Sequence, residues 1–390
     1  MTQSYDFVIV GAGISGAALA YYLKKSGIGR VLLIERGELA SGGTGKSAAI
    51  VRQHYSTRLM ARLAKRSVDI FRGMPRELGH DGGYRGVGYC FLCSEENAET
   101  AKKNLEMQQQ VGIKTSWLTA DSVASRFPWL NMERIVGIGF EPDGGYADPI
   151  QSVEAYVGAF KRLGGEVRTR MPCRSVLRER DRITGIATDH GVINAGTVVN
   201  AAGPWAPALA RLAGVKLEMR SIREQDTVWE GRAGRDQPPH SISNTLEAIY
   251  IRPQGDRRYV VGRGFPKDYE EVDEDNYKET PDDAFIADVQ QRLEHRIPPM
   301  QGARLVHAYT ALYDVTPDWY PFVGPRGDVG SYVDFSGGSG HGFKIGPAIG
   351  ESLAAVIAGR EPRIDIASLS GARFSEGRTF SSVWGAGNRA

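Results

Sequence analysis

The chain has 390 residues, 41% hydrophobic and 24% charged, which is room for about two to three domains with full cores and too apolar for a disordered chain. Lys and Arg total 48 against 46 Asp and Glu, a net charge of +2 with no basic tail, which argues against nucleic acid as a partner. The three cysteines cannot build a disulfide framework, so a reducing, cytoplasmic setting is expected.

Tyr5-Asp6-Phe7-Val8-Ile9-Val10 reads as a strand buried on both faces. Gly11-Ala12-Gly13-Ile14-Ser15-Gly16 follows, then a helical stretch from Ile14 to about Ser26, a stop at Gly27 and a second buried strand, Val31–Ile34, ending in Glu35. This is a G-x-G-x-x-G fingerprint set between strand, helix, strand and acid. Gly11 allows the tight turn, Gly13 lets a pyrophosphate reach the backbone, and Gly16 lets the helix pack on the strand. The helix N-terminus offers unpaired N–H groups to phosphate, and Glu35, 19 residues past Gly16, suits ribose hydroxyls. The loop Arg36–Ser47 is small and polar, where an NAD domain usually runs into a helix, so a larger dinucleotide is favoured. Phe7–Leu23 and Gly191–Ala210 are uncharged runs of 17 and 20 residues, but glycines, prolines or asparagines interrupt both, so no integral membrane segment is expected.

Further along, Tyr89-Cys90-Phe91-Leu92-Cys93 is a strand-like C-x-x-C whose spacing puts the two thiols on opposite faces. With no second pair, no metal site is expected. Asp148-Pro149 starts a helix, Asp as N-cap and Pro at N1, with Ile150, Val153, Tyr156, Val157, Phe160 and Leu163 on one face. Gly164-Gly165 ends it, and a strand begins at Glu166. Asp268–Asp283 is acidic and polar, as a surface loop would be. Gly337, Gly338, Gly340, Gly342 and Gly346 leave backbone N–H groups open to a flat ligand, beside a small-residue helix whose positive end would stabilise negative charge on it.

Four separated stretches resemble the FAD-dependent amine and amino-acid oxidoreductases of the D-amino-acid oxidase superfamily, in its sarcosine oxidase, dimethylglycine dehydrogenase and glycine oxidase branch. They are the fingerprint through Arg36, Ser47–Tyr55, Val198–Ala206, and Gly337–Gly350. The resemblance implies FAD held by Gly11, Ala12, Gly13, Ile14, Ser15 and Gly16, and by Glu35 and Arg36. From the loop it adds Thr44, Lys46, Ser47, Ala49 and Ile50, and further on Val176, Ala201, Ala202, Gly203 and Trp205. Gly338, Gly340, His341, Gly342, Phe343 and Lys344 complete the set. It implies that Arg52 and Lys344 bind a substrate carboxylate, with Tyr313 and His341 as further catalytic-site residues. Ala311 and Ser47 stand where relatives carry flavin-attaching Cys and His, so FAD is expected to be non-covalent. Some relatives place a lysine over the flavin to aid reaction with O₂. The comparable stretch here, Ala248–Gly262, has three arginines and no lysine, leaving Arg252 or Arg258 as stand-ins.

The implied fold is α+β/α/β with two domains. A Rossmann-like, glutathione-reductase-like FAD-binding domain takes residues 1–83, 146–217 and 325–372. A substrate-binding domain with a mixed, largely antiparallel sheet takes 84–145 and 218–324, and 373–390 forms a C-terminal tail or short added element. The implied activity is FAD-dependent oxidation of the C–N bond of a secondary, N-substituted amino acid, by hydride transfer to flavin N5 and hydrolysis of the imine. The partners are an amino-acid substrate with a free carboxylate and O₂ or another electron acceptor, in a homo- or hetero-oligomer. A D-amino-acid or glycine oxidase or dehydrogenase, a non-catalytic FAD subunit of a hetero-oligomer, and an NAD-dependent dehydrogenase are the alternatives.

Overall fold

Side chains alternate between the faces of a strand, and that alternation divides the first sheet between two cores. In the computed structural model, which describes residues 3–381, Val8, Val10, Leu32 and Ile34 face one core while Ile9, Val31 and Leu33 face the other. The strand Gln3–Val10 lies between Val31–Ile34 and Gly191–Asn200 and runs parallel to both. Glu166–Arg168 and Tyr332–Ser336 extend the parallel set, Phe322–Pro325 closes one edge antiparallel, and a hairpin of Cys173–Glu179 and Arg182–Thr188 pairs off Gly191–Asn200. Helices Ile14–Lys25, Arg58–Leu78, Pro149–Arg162 and Gly342–Ile357 cover one face. The hairpin and the helix Ala206–Leu212 cover the other.

Local chemistry sets the ends of these elements. Asp148 caps the helix Pro149–Arg162, its Oδ1 accepting from the N–H groups of Ile150 at 3.0 Å and Gln151 at 2.9 Å. The buried stripe of this helix is narrower than its pattern suggests. Val153, Tyr156, Val157 and Phe160 are buried, whereas Ile150 and Leu163, at its two ends, overhang the packing and are exposed. The uncharged stretches resolve into strand, turn and helix, and no helix among the described residues is long and apolar enough to cross a membrane.

The second sheet is mixed. Its strands run in the order Glu270–Val272, Arg220–Glu230, Arg258–Arg263, Ile249–Pro253, Ser241–Asn244, Tyr89–Cys93, Gly137–Glu141, Ser116–Thr119, and Arg304–Val315 also pairs with Arg220–Glu230. Every pair is antiparallel except Ser241–Asn244 against Tyr89–Cys93. The acidic 268–283 stretch is therefore not all loop, because Glu270–Val272 pairs with Ser221–Arg223 as an edge strand. Cys90 and Cys93 enter different core clusters. Both are free thiols, and burial pushes Cys93 up to about 12, so neither is a reactive nucleophile. Among the described residues no cluster of His, Cys, Asp and Glu could hold a metal.

Arg373, in the short helix Ala372–Ser375, ties the end of the described chain to the first sheet. Its Nε and Nη2 donate to the two oxygens of Asp318 at 2.8 Å each, and its other N–H groups reach the carbonyls of Tyr320, Pro321 and Leu369. The side chains are 1% and 3% exposed. Removing the cation would leave Asp318 charged and buried. Arg373→Met is expected to cost about 3–5 kcal/mol, read as a lower urea midpoint, with part of the loss recovered when Asp318→Asn is added. An unchanged midpoint in the single variant would contradict this.

Candidate active site

Two backbone approaches build the floor of the site. Gly11 has φ +109°, and a Cβ there would lie 2.3 Å from the carbonyl oxygen of Ala201. A Cβ on Gly16 would lie 1.9 Å from the carbonyl oxygen of Gly11. Any side chain at either position would force helix, first strand and the Asn200–Gly203 turn apart. The helix Ile14–Lys25 begins with no side-chain cap from Gly13, and Thr44 Oγ1 accepts the Ile14 N–H at 3.1 Å. Glu35 accepts from Ala12 N–H through Oε2 and from Gly37 N–H through Oε1, both at 2.9 Å. It therefore shapes the turn as well as presenting a carboxylate to the cavity.

That cavity, about 550 Å³, runs from the fingerprint to the second sheet. Its far side is the glycine loop 337–340, which Asp314 organises. Asp314 Oδ2 accepts from the N–H groups of Gly337 and Gly338 at 2.9 Å each, and its carbonyl accepts from Ser339 N–H at 3.0 Å. Burial pushes the Asp314 carboxyl above the usual carboxylate range against those hydrogen bonds. The helix Gly342–Ile357 then opens, again without a side-chain cap, so its positive end is available to the cavity.

Lys344 sits in the first turn of that helix, 9% exposed, with Nζ 3.4 Å from the Gly340 carbonyl oxygen it donates to. A cation at this end of a helix is repelled by the helix dipole, and a bound anion offsets that repulsion. Arg52 is 8% exposed. Its Nη1 donates to the His54 carbonyl, and its guanidinium lies 4.6 Å from the centre of the Tyr55 ring and 5.9 Å from that of Tyr89. The short ribbon Ile50–Val51 with Gly145–Tyr146 fixes the loop that carries it. Behind it, Glu141 accepts the Gln53 N–H at 2.8 Å, and burial raises its carboxyl to about 7. His54, stacked on Phe91 at 4.4 Å, is held down to about 3 by burial and by Arg52, so it stays neutral. Tyr55 Oη lies 2.8 Å from His341 Nδ1.

The cavity brings together most residues singled out from the sequence. Gly11, Gly13, Ile14, Ser15, Glu35, Arg36, Thr44, Lys46, Ser47, Ala49 and Ile50 line it at one end. Ala201, Ala202, Gly203 and Trp205 line it from the third motif, and Gly338, Gly340, Gly342, Phe343 and Lys344 from the fourth, with Arg52 and Tyr313 beside them. Ala12, Gly16 and His341 stand behind the lining and support it through the contacts above. Val176 is different: its side chain is buried in the core between sheet and hairpin, and Met171, Pro172, Cys173 and Arg174 line the cavity there instead.

The suggested arginine stand-ins also lie elsewhere. Arg252 is buried with Nε donating to the Ala48 carbonyl at 2.7 Å, and Arg258 is exposed. From this part of the chain it is Lys267 that lines the cavity, paired with Glu224 and five residues past Gly262. Asp226, Tyr250 and Asp275 also line the cavity and were not singled out. Asp275 Oδ1 accepts from Trp205 Nε1 at 2.7 Å and from Arg36 Nη1 at 3.2 Å, drawing the 273–279 segment over the fingerprint end.

FAD fits these residues: two helix N-termini whose own N-cap residues give no side-chain hydrogen bond, glycines whose missing side chains open the backbone, and a carboxylate at the end of the second strand all face one cavity. Glu35→Ala is expected to weaken FAD retention by about 1.5–3 kcal/mol, read as flavin released on dilution and gel filtration. Unchanged retention would contradict the role given to this carboxylate.

Comparison with known proteins agrees with this geometry. The DAO family, described as FAD dependent oxidoreductase, matches residues 6–356. The chain is 28% identical over 380 residues to 4-methylaminobutanoate oxidase (formaldehyde-forming) of Paenarthrobacter nicotinovorans, covering 94% of this chain but 45% of that protein, so it spans less than half of that relative. It is 26% identical to sarcosine oxidase subunit beta of an Arthrobacter species, covering 96% of this chain and 92% of that one. Among solved structures, L-proline dehydrogenase from P. horikoshii superposes with a TM-score of 0.89 at 25% identity, over 97% of this chain and 100% of that chain. Glycine oxidase from Geobacillus kaustophilus shares the fold, with a TM-score of 0.83 at 21% identity, over 95% and 98% of the two chains. With a family match over nearly its whole length and a cavity whose residues fit the cofactor, the chain belongs to the DAO family of FAD dependent oxidoreductases.

Proposed function

We propose that the protein oxidises the C–N bond of an amino acid that keeps its carboxylate free, with secondary, N-substituted amines as the preferred class. One observation carries this reading: Arg52 and Lys344, both more than nine-tenths buried, line the same cavity. Two nearly buried cations in one site call for an anionic ligand. Three of the relatives, a methylaminobutanoate oxidase, a sarcosine oxidase subunit and a proline dehydrogenase, are named for secondary amines that carry a carboxylate.

In this reading Arg52 and Lys344 clamp the carboxylate, Arg52 through two N–H groups where geometry allows. Fixing the carboxylate fixes the neighbouring C–N unit and converts an encounter into an oriented complex. FAD held by the residues above would supply the redox chemistry, as acceptor of a hydride from the carbon and donor of the electrons to O₂ or another acceptor. Water then hydrolyses the imine to a carbonyl compound and an amine. The protein's own contributions are orientation, the uncapped helix end at Gly342 as a source of positive potential, and exclusion of bulk water by the walls of the second sheet.

Arg52→Met and Lys344→Met should each lower the rate of anaerobic flavin reduction by an amino-acid substrate by about 2–5 kcal/mol, or roughly 30-fold to several thousand-fold. FAD content should stay near wild type. The matching decarboxylated amine should react slowly with wild type and barely more slowly with either variant. Equal losses on acid and amine would remove the carboxylate clamp from the account.

Ala311 and Ser47 line the cavity and offer no group that attaches flavin. Acid precipitation should therefore release the yellow colour as FAD into the supernatant, and flavin remaining in the pellet would contradict non-covalent binding.

A further inference from the structure

The cavity has a second polar wall that the carboxylate clamp does not use. It is a row across the second sheet, set by register. Phe91 lies opposite Ser243, Ser243 opposite Tyr250, Tyr250 opposite Gly262, Gly262 opposite Asp226, and Asp226 opposite Tyr309. Phe91, Ser243, Tyr250 and Asp226 all line the cavity.

Gly262 is what joins two of them. A Cβ there would lie 2.3 Å from Tyr250 Oη and 2.4 Å from Asp226 Oδ1. Without it, Tyr250 reaches over the intervening strand and donates to Asp226 Oδ1 at 2.6 Å. Tyr250 is the more open of the pair, and Asp226 is 3% exposed behind it.

Burying a carboxylate is costly unless something compensates it. The charged groups around Asp226 can be followed strand by strand. On its own strand Glu224 pairs with Lys267 from beyond the next strand. On the strand of Tyr250, Arg252 turns away to the Ala48 carbonyl and stacks 4.9 Å from the Tyr146 ring. On the Arg304–Val315 strand the residue opposite Asp226 is Tyr309, a phenol that burial keeps neutral at ordinary pH. Asp226 is thus left with a neutral phenol as its hydrogen-bond donor. The cavity carries cations at the clamp and a carboxylate on the wall formed by the second sheet, the charge pattern of a zwitterion.

We propose that Tyr250 and Asp226 form the ammonium side of the substrate site and receive the ammonium proton before oxidation. Tyr250 Oη accepts a hydrogen bond from the substrate N–H. As that N–H bond breaks, a new O–H bond forms at Tyr250, the original Tyr250 proton moves to Asp226 Oδ1, and the amine is left neutral with its lone pair free. No electrons change hands, and the proton count is unchanged. Tyr250 is the contact, and Asp226 is a positioning residue that acts through it.

This inference rests on the reading under Proposed function, so its test separates the two ends of the ligand. Three unreactive probes are titrated into the holoenzyme between pH 5 and 8, with binding read from the flavin absorbance. They are 2-aminoisobutyrate, pivalate (carboxylate alone) and tert-butylamine (ammonium alone). Burial raises the Asp226 carboxyl to about 6, so it is ionised above that pH and neutral below it. Wild type should hold the two ammonium probes tenfold more weakly for each pH unit below about 6, while pivalate shows no such loss. Asp226→Asn should abolish that dependence and weaken both ammonium probes at pH 7.5, leaving pivalate unchanged. Gly262→Ala, which separates the pair but keeps both groups, should behave in the same direction. With a reactive secondary amino acid, anaerobic reduction of Asp226→Asn should be slower by roughly 10²–10⁴-fold at pH 7, recovering tenfold per pH unit toward the pKa of the free amine. An Asp226→Asn enzyme that keeps the wild-type pH dependence for the ammonium probes would overturn the proposal. Failure of pivalate alone would count against the clamp and not against Tyr250 and Asp226, which tert-butylamine tests by itself.

Discussion

The contact on which the rest of the molecule depends is the one between Gly11 and Ala201. The first turn of the sheet passes so close to the end of a strand almost two hundred residues later that a Cβ would stand 2.3 Å from a carbonyl oxygen. This closeness brings two distant motifs to one floor, and the helix behind Gly16 can then present its N-terminus there. The mouth of the cavity, its glycine loop and its cations are arranged around that floor. The constraint is steric and local, yet it joins two motifs far apart in the chain.

A second layer of organisation is electrostatic. The site puts Arg52 and Lys344 where water is nearly excluded, with Lys344 at the unfavourable end of a helix dipole. It also buries Glu141, Asp314 and Asp226, each raised above the usual carboxylate range by burial. Asp314 has a structural reason, since it holds the N–H groups of Gly337 and Gly338. Glu141 holds the Gln53 N–H beside the arginine loop. Asp226 meets a phenol that lines the cavity, which is why it reads as part of the chemistry and the other two as scaffolding.

What could be seen in the sequence follows from the range of each signal. Strand Val31–Ile34, helix Ile14–Lys25 and the Asp148 cap are set by neighbours a few residues away, and composition alone marks them. The glycines of the fingerprint and of 337–340 are legible because few other reasons place glycines so densely. The acidic stretch 268–283 hid an edge strand because pairing with Ser221–Arg223 is a tertiary event. Asp314, Asp226 and Tyr250 carried no local motif: Tyr250 and Asp226 are 24 residues apart and meet only through strand register and a missing side chain at 262. Lys267 was not legible because it lies outside the strand pattern, in the loop beyond Arg258–Arg263 where the chain turns back to the cavity.

The central claim is that this cavity recognises a carboxylate attached to an oxidisable amine. The most direct measurement is anaerobic titration of the wild-type holoenzyme with paired compounds, each N-alkyl amino acid beside the amine left when its carboxylate is removed, following loss of the flavin absorbance. The account predicts bleaching by at least one acid of the panel, at concentrations at which its decarboxylated partner leaves the flavin oxidised. Bleaching by the amines as readily as by the acids would contradict it.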